Sequence, residues 1–255
     1  SGCPGIGSTR MQQLAGLSCG MDCGLGDLWD WPLSRFRDVL GWPESLIRSL
    51  ARYRQACRSP GSVAVPDHVL LPMDACWPES LSGLDRPPLS LQWCGRRDLW
   101  PLLCSRQAVA VIGTRRPSAH GLRMAEALGR SLSLAGWPVV SGLAEGIDAA
   151  VHRACVRSRG VPVGVLGTPL HRVYPQDHRG LQQSVAETGL LFTELRDDAR
   201  VRRSTFALRN RLLVAVARAV VIVECPKASG ALHSAAIAQS IGLPLWVVPG
   251  DAMRH

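Results

Sequence analysis

Four apolar runs from residue 108 onward each end in a small-residue turn and feed a segment of helical length. The first is Ala108-Val-Ala-Val-Ile-Gly113-Thr-Arg-Arg-Pro-Ser118, and the second is Pro138-Val-Val-Ser-Gly142-Leu-Ala-Glu-Gly146-Ile-Asp148. The third is Val163-Gly-Val-Leu-Gly167-Thr. The fourth is Ala219-Val-Val-Ile-Val-Glu224, with Ser229-Gly230 ahead of a helix. Continuous apolar runs of this length read as buried parallel strands. In an open α/β sheet the turns that follow such strands lie at the carboxyl edge, where ligands bind. Helix N-termini behind the turns aim N–H groups and positive dipole ends at one place, which suits an anion. Arg115 and Arg116 in the first turn, and the Arg209-Asn210-Arg211 triplet downstream, make phosphate the expected anion.

The alternation extends over the rest of that span. Strands are expected at 108–113, 138–141, 163–167, 190–194, 219–224 and 244–248, with helices at 119–135, 148–158, 178–187, 207–217 and 231–241. That rhythm gives a doubly wound, mostly parallel sheet covered on both faces. Two further strand candidates, 69–71 and 89–93, precede it across a Pro-rich connection. Residues 1 to about 60 read as helical, at 8–17, 33–40 and 43–57, with Leu46, Ile47, Leu50 and Tyr53 at helical spacing. Arg58-Ser-Pro-Gly-Ser62 has the composition of a linker. The expected division is therefore a small helical domain, 1–62, and an α/β domain, 63–255. The Pro4-Gly-Ile-Gly7 turn either grips a phosphate backbone through its amides or simply joins two helices.

Charge narrows the class of partner. The net charge is +9 and the pI about 9.6, carried by 28 arginines and one lysine. A balance this basic favours a polyanion, nucleic acid first and an acidic membrane surface second. The arginine excess fits bidentate phosphate binding, and codon bias of a GC-rich genome produces the same composition. The cysteines number nine, with no CxxC, and Cys19-x3-Cys23 lacks a matching pair at zinc-finger spacing. A reducing cytoplasm, no metal and no cofactor are expected. No apolar run reaches transmembrane length and no signal-peptide pattern is present.

Several positions are candidates for ligand contact, and each has a structural alternative. Gly113, Thr114, Arg115, Arg116 and Ser118 form a strand-to-helix turn that is neither a dinucleotide fingerprint nor a P-loop. Ser141, Gly142 and Gly146 bring backbone close to a ligand, while Asp148 either contacts it or caps the following helix. Tyr174-Pro175 offers a stacking platform or a packed loop tyrosine. Residues 196–211 carry Arg196, Arg200, Arg202, Arg203, Arg209 and Arg211 around Phe206, a mixture of cations and an aromatic that suits single-stranded nucleic acid. Phe206 equally suits the core at a helix start. The histidines are scattered and no nucleophile–base pair stands out, although Glu145, Glu194 and Glu224 lie near strand ends.

With these residues in view, the chain resembles the DprA/Smf family of bacterial DNA-processing proteins. The likeness is carried by VAVIGTRRPSAHGL, VVSGLAEGIDAAVHRA, VGVLGT with a following Tyr-Pro, LLFTE, FALRNRLLVAVARAVVIVE, SGALHSAAIAQ and VVPG, in the family's order and spacing. The resemblance implies an extended Rossmann-like fold preceded by a small domain of the sterile-alpha-motif or helix-hairpin-helix kind. It implies a non-enzymatic, cytoplasmic recombination mediator that binds and protects single-stranded DNA and loads RecA onto it during natural transformation, and that pairs as a homodimer. The family's basic pocket maps onto Gly113, Thr114, Arg115, Ser141, Gly142, Arg209, Asn210 and Arg211, with Gly167 and Gly230 as close-approach glycines. Arg116, Tyr174 and Phe206 complete the expected DNA-binding set.

The chain departs from the family at Pro169 and His171, where Gly and an acidic residue are usual, at His178 in place of Asn, and at Ala231 in place of a small hydroxyl. Family members normally continue past the Val-Pro-Gly at 248–250, in some with segments for dimerisation and RecA contact. On that basis Ala235, Ala236, Ile237, Ile241 and Leu243 are expected to form an exposed apolar patch. The competing functions are an enzyme acting on nucleotides or N-glycosidic bonds through Glu145 or Glu194, and a sensor of a small nucleotide.

Overall fold

A computed structural model describes residues 3–21, 23–57, 66–226 and 229–250. The expected linker at 58–62 lies outside them. The chain divides into two compact units, Ser1–Asp67 and His68–His255.

Among the described residues the first unit holds four helices: α1 (Ser8–Gly20), α2 (Leu25–Trp29), α3 (Leu33–Leu40) and α4 (Glu44–Ala56). The short α2 is not evident from periodicity, because five residues are too few to show it. Trp31, Phe36 and Trp42 make the core, with ring centroids 5.6 and 5.3 Å apart, against Leu46, Ile47 and Leu50 of α4. Arg54 donates to the Trp31 and Leu28 carbonyls at 2.7 and 3.2 Å, so this cation closes the end of the bundle.

The second unit is an eight-stranded sheet in the order β1-β2-β6-β5-β4-β3-β7-β8. The strands are β1 (Val69–Leu70), β2 (Leu91–Gly95), β3 (Val109–Ile112), β4 (Val139–Ser141), β5 (Pro162–Val165), β6 (Leu190–Thr193), β7 (Ala219–Ile222) and β8 (Leu245–Val247). All pairings from β6 to β8 are parallel, whereas β1 and β2 add antiparallel at one edge. The helices are α5 (Glu79–Ser82), α6 (Trp100–Cys104), α7 (Ala119–Leu134), α8 (Ile147–Arg157), α9 (Arg179–Thr188), α10 (Arg203–Ala215) and α11 (Gly230–Ser240). The fold is thus α/β, Rossmann-like and doubly wound.

Alternate residues of the strands feed cores on the two faces, as a period of two requires. Val111 and Val139 pack with Ile147, Val151 and Cys155 on the α7–α8 side. Ala110, Ile112, Val140, Val220 and Ile222 pack with Leu212, Leu213 and Ala238 on the α10–α11 side. Trp100 is fully buried there, its ring 5.4 Å from Phe192 of β6. The chain leaves β3 in one direction along the sheet and β7 in the other. These two strands are neighbours, so the switch point lies between them, and crevices in open sheets form there.

The apolar patch expected over 237–248 is exposed at its end, and of the side chains expected to supply it only Ala236 is exposed. Ala235, Ile237, Ile241 and Leu243 pack against the main core, because α11 turns that face to the sheet. Trp246 and Val247 of β8 are 65% and 66% exposed, and Leu232 of α11 is exposed as well.

Candidate nucleic-acid interface

A cleft of about 480 Å3 opens at the switch point. Its walls are the turn after β3 (Gly113, Thr114, Arg115, Arg116), one face of α10, and the segment leading into α11. Arg203, Phe206, Ala207 and Asn210 recur at i, i+3, i+4 and i+7, so they share one face of α10 toward the cleft. The sequence reading began this helix at residue 207. With α10 beginning at Arg203, that arginine joins the site; its signal was the arginine run, in which spacing alone did not single it out.

The turn is rigidly built. Thr114 N–H donates to the Glu224 carbonyl at 2.8 Å, and the Thr114 hydroxyl accepts from Arg116 N–H at 3.2 Å. Gly146 sits at φ +78°, and a Cβ there would collide with the backbone of Thr114 and Arg115. Only glycine reconciles that dihedral with so close an approach. The result is an exposed Arg115 whose guanidinium carbon lies 5.8 Å from the centroid of the Phe206 ring. Phe206 in turn faces Tyr174, centroids 4.9 Å apart at 47°. Arg115, Tyr174, Phe206, Gly142 and Glu145 line a narrow slot beside the main cleft.

The helix N-termini contribute less than their position suggested. At the start of α7, the Glu224 carboxylate accepts from Ser118 N–H and Oγ, both at 2.9 Å, and Ser118 Oγ accepts from Gly121 N–H. Ile147 N–H of α8 donates to the Thr114 carbonyl at 3.2 Å. These donors are already satisfied within the fold; the exposed cations of the cleft are Arg115, Arg116 and Arg203, with Arg209 in its floor beside Asp148.

Arg209 and Asp148 are nearly buried and line the floor of the cleft. Arg209 is 4% exposed, and its Nη1 donates to the Gly142 carbonyl at 2.8 Å and to the Val165 carbonyl. It thus ties together the ends of β4 and β5. Burial pushes its pKa down to about 10, against the opposing effect of Asp148, so it stays charged at neutral pH. Burial raises the Asp148 pKa, offset by Arg209 and by hydrogen bonds from the Gly142–Ala144 loop. The Asp148 carboxylate accepts from Gly142 N–H at 3.1 Å. Its role is to hold the loop ahead of α8 rather than to cap that helix.

Three of the expected contact residues point elsewhere. Arg211 makes a two-pronged pair with Glu194, at 2.7 and 2.6 Å, and donates to the Arg86 carbonyl at 2.8 Å. Ser141 is fully buried and donates to the Val111 carbonyl at 2.7 Å. Gly167 packs under the Phe206 ring, so its missing side chain makes room for protein rather than ligand. Gly230 has open space above its Cα and lines the cleft. Of the departures from the family pattern, Ala231 lies in the cleft wall. His178 is buried, its Nδ1 2.9 Å from the Leu143 carbonyl, and His171 meets Asp197 at 3.3 Å on the surface.

Residues 68–255 match the family model for DNA recombination-mediator protein A. The chain belongs to the DprA/Smf family. It is 36% identical over 182 residues to protein Smf of Synechocystis, a stretch covering 71% of this chain and 46% of that DprA/Smf protein, so it spans under half of that relative's length. The crystal structure of DprA from Streptococcus pneumoniae superimposes with a TM-score of 0.79 at 25% identity, over 98% of this chain and 84% of that one. DprA from Helicobacter pylori, solved to explain its single-stranded DNA binding mode, superimposes with a TM-score of 0.64 at 30% identity, over 69% of this chain and 80% of that one.

Proposed function

We propose that this chain is a single-stranded DNA-binding recombination mediator whose strand lies in the switch-point cleft. The observation that carries the reading is the pairing of exposed cations with a tilted aromatic pair. Arg115, Arg116 and Arg203 neutralise phosphates, while Tyr174 and Phe206, with Arg115 over the ring, offer faces on which bases stack. Nothing in this arrangement is a groove-reading helix, so base sequence goes unread. The DprA/Smf relationship supports the same assignment. It extends it to protection of the strand, delivery to RecA, and a homodimer as the working form.

The role is binding rather than catalysis. Glu194, one of two carboxylates suited to an N-glycosidic reaction, is held by Arg211, and Asp148 in the cleft floor is engaged by Gly142 N–H and by the charge of Arg209. Glu145 alone borders the aromatic slot.

Fluorescence anisotropy with an oligonucleotide, a duplex of equal length and free nucleotides tests the reading. The single strand binds more tightly than the duplex, and log K falls with log salt at a slope of about −3 to −4, as four to six neutralised phosphates require. Equal duplex affinity, or a slope near zero, refutes it. Release of base or phosphate that is lost in Glu145→Gln would establish an enzyme instead.

A further inference from the structure

Helices α7 and α8 lie side by side on one face of the sheet, and a trough of about 410 Å3 runs between them. Its floor is low for a reason: a Cβ at Gly129 would stand 2.6 Å from the Val151 carbonyl oxygen, so the two backbones meet closely, and Ala127 and Ala154 add only methyl groups. Its rim is cationic. Arg123 and Arg130 stand on α7, and Arg157 stands on α8. Glu126 is the one carboxylate in the lining, and Arg157 meets it at 3.6 Å. Among the described residues Arg123 and Arg130 have no ion-pair partner. On α7, Glu126 lies three residues after Arg123 and four before Arg130, and Arg157 of α8 also reaches it, so three arginines share one carboxylate and the trough keeps a positive excess.

We propose that this trough is a second track for the phosphate backbone, taken by DNA that extends beyond the switch-point cleft. The proposal rests on the function argued above. Helix α7 connects the two places, because it begins at the turn bearing Arg115 and Arg116. Arg123 and Arg130 lie about 7 and 18 Å along its axis from Ser118, at ~1.5 Å per residue. Arg116, Arg123 and Arg130 recur every seven residues, so cations are spaced along the way out of the cleft. The C-terminal carbonyls of α8 end at Ser158, and Arg157 offsets their partial charge, which leaves the α7 arginines to hold the anion. An acidic protein is the weaker candidate. The lining has no large apolar or aromatic side chain, and protein interfaces need such anchors at their centres.

Anisotropy titrations of the full chain decide it, using oligo-dT of about 6 and about 25 nucleotides over a salt series. The double variant Arg123→Ala, Arg130→Ala keeps its affinity for the short strand within about twofold. It loses about tenfold for the long one, and its salt slope flattens by about 1.4, two phosphates' worth on a single strand. Arg123→Lys, Arg130→Lys restores most of the slope. Equal losses at both lengths, or none at the long one, overturn the proposal. So does polyglutamate that binds the wild type as tightly as the long strand and is lost in the double variant. A wild type that binds neither length removes the cleft reading as well, whereas short-strand binding without a length-dependent gain removes the track alone.

Discussion

Arg115 and Arg211 both belong to arginine-bearing motifs on which the family resemblance rests, yet their surroundings assign them opposite duties. Arg115 is exposed over the Phe206 ring at the mouth of the cleft. The Arg211 and Glu194 side chains are 10% and 17% exposed, locked to each other. Arg115→Ala is expected to weaken single-stranded DNA binding by about 1–3 kcal/mol, the scale of a lost charge-assisted contact, with no change in melting temperature. Arg211→Ala is expected to destabilise the fold by about 3 kcal/mol, because it strands Glu194 without its counter-charge. Binding by the folded fraction of that variant stays close to wild type. Urea unfolding read alongside anisotropy separates the two, and a folded Arg211→Ala protein with a large binding defect would return Arg211 to the interface.

Among the elements, α8 carries the clearest pH dependence. His152 lies fully buried between this helix and the sheet, Nε2 3.2 Å from the Val163 carbonyl. Burial, with Arg209 nearby acting in the same direction, lowers its pKa to about 4 against the opposing hydrogen bond to Val163. The folded state therefore holds a neutral imidazole while the unfolded chain takes up a proton below about pH 6.5. Its stabilising contribution is complete above that pH and is lost progressively as the pH falls toward 4, about 3 kcal/mol in all. His152→Gln keeps an amide within reach of Val163 and removes the titration. Melting curves at pH 7 and pH 4.5 should show a steeper loss for wild type than for the variant; parallel losses would place the acid sensitivity elsewhere.

For the molecule as a whole, the sheet ends at β8, a three-residue strand paired only with β7 among the described residues. Edge strands are usually blunted by charge or cover, yet Trp246 and Val247 stand exposed here. The homodimer proposed above is expected to use this edge. Sedimentation over a wide concentration range should show reversible association that Trp246→Asp weakens at least tenfold. A wild type that stays monomeric, or a variant that associates as well as wild type, would move the contact away from β8.

Much of this protein is legible in its sequence because the strand–turn–helix rhythm is local. Runs such as 109–112 and 219–222 have no polar position to offer solvent, so they become interior strands, and the glycine turns between them fall at one edge. Arg115, Arg116, Phe206, Asn210 and Gly230 could be named from those motifs, as could the family. The short α2, α5 and α6 could not, because four or five residues carry no period. Neither could the opposite fates of Arg115, Arg209 and Arg211. A guanidinium has the same chemistry at all three positions. Only the packing of α10 on the ends of β4 and β5, and the placing of Glu194 beside it, decides which arginines are held in the protein and which is left exposed at the cleft.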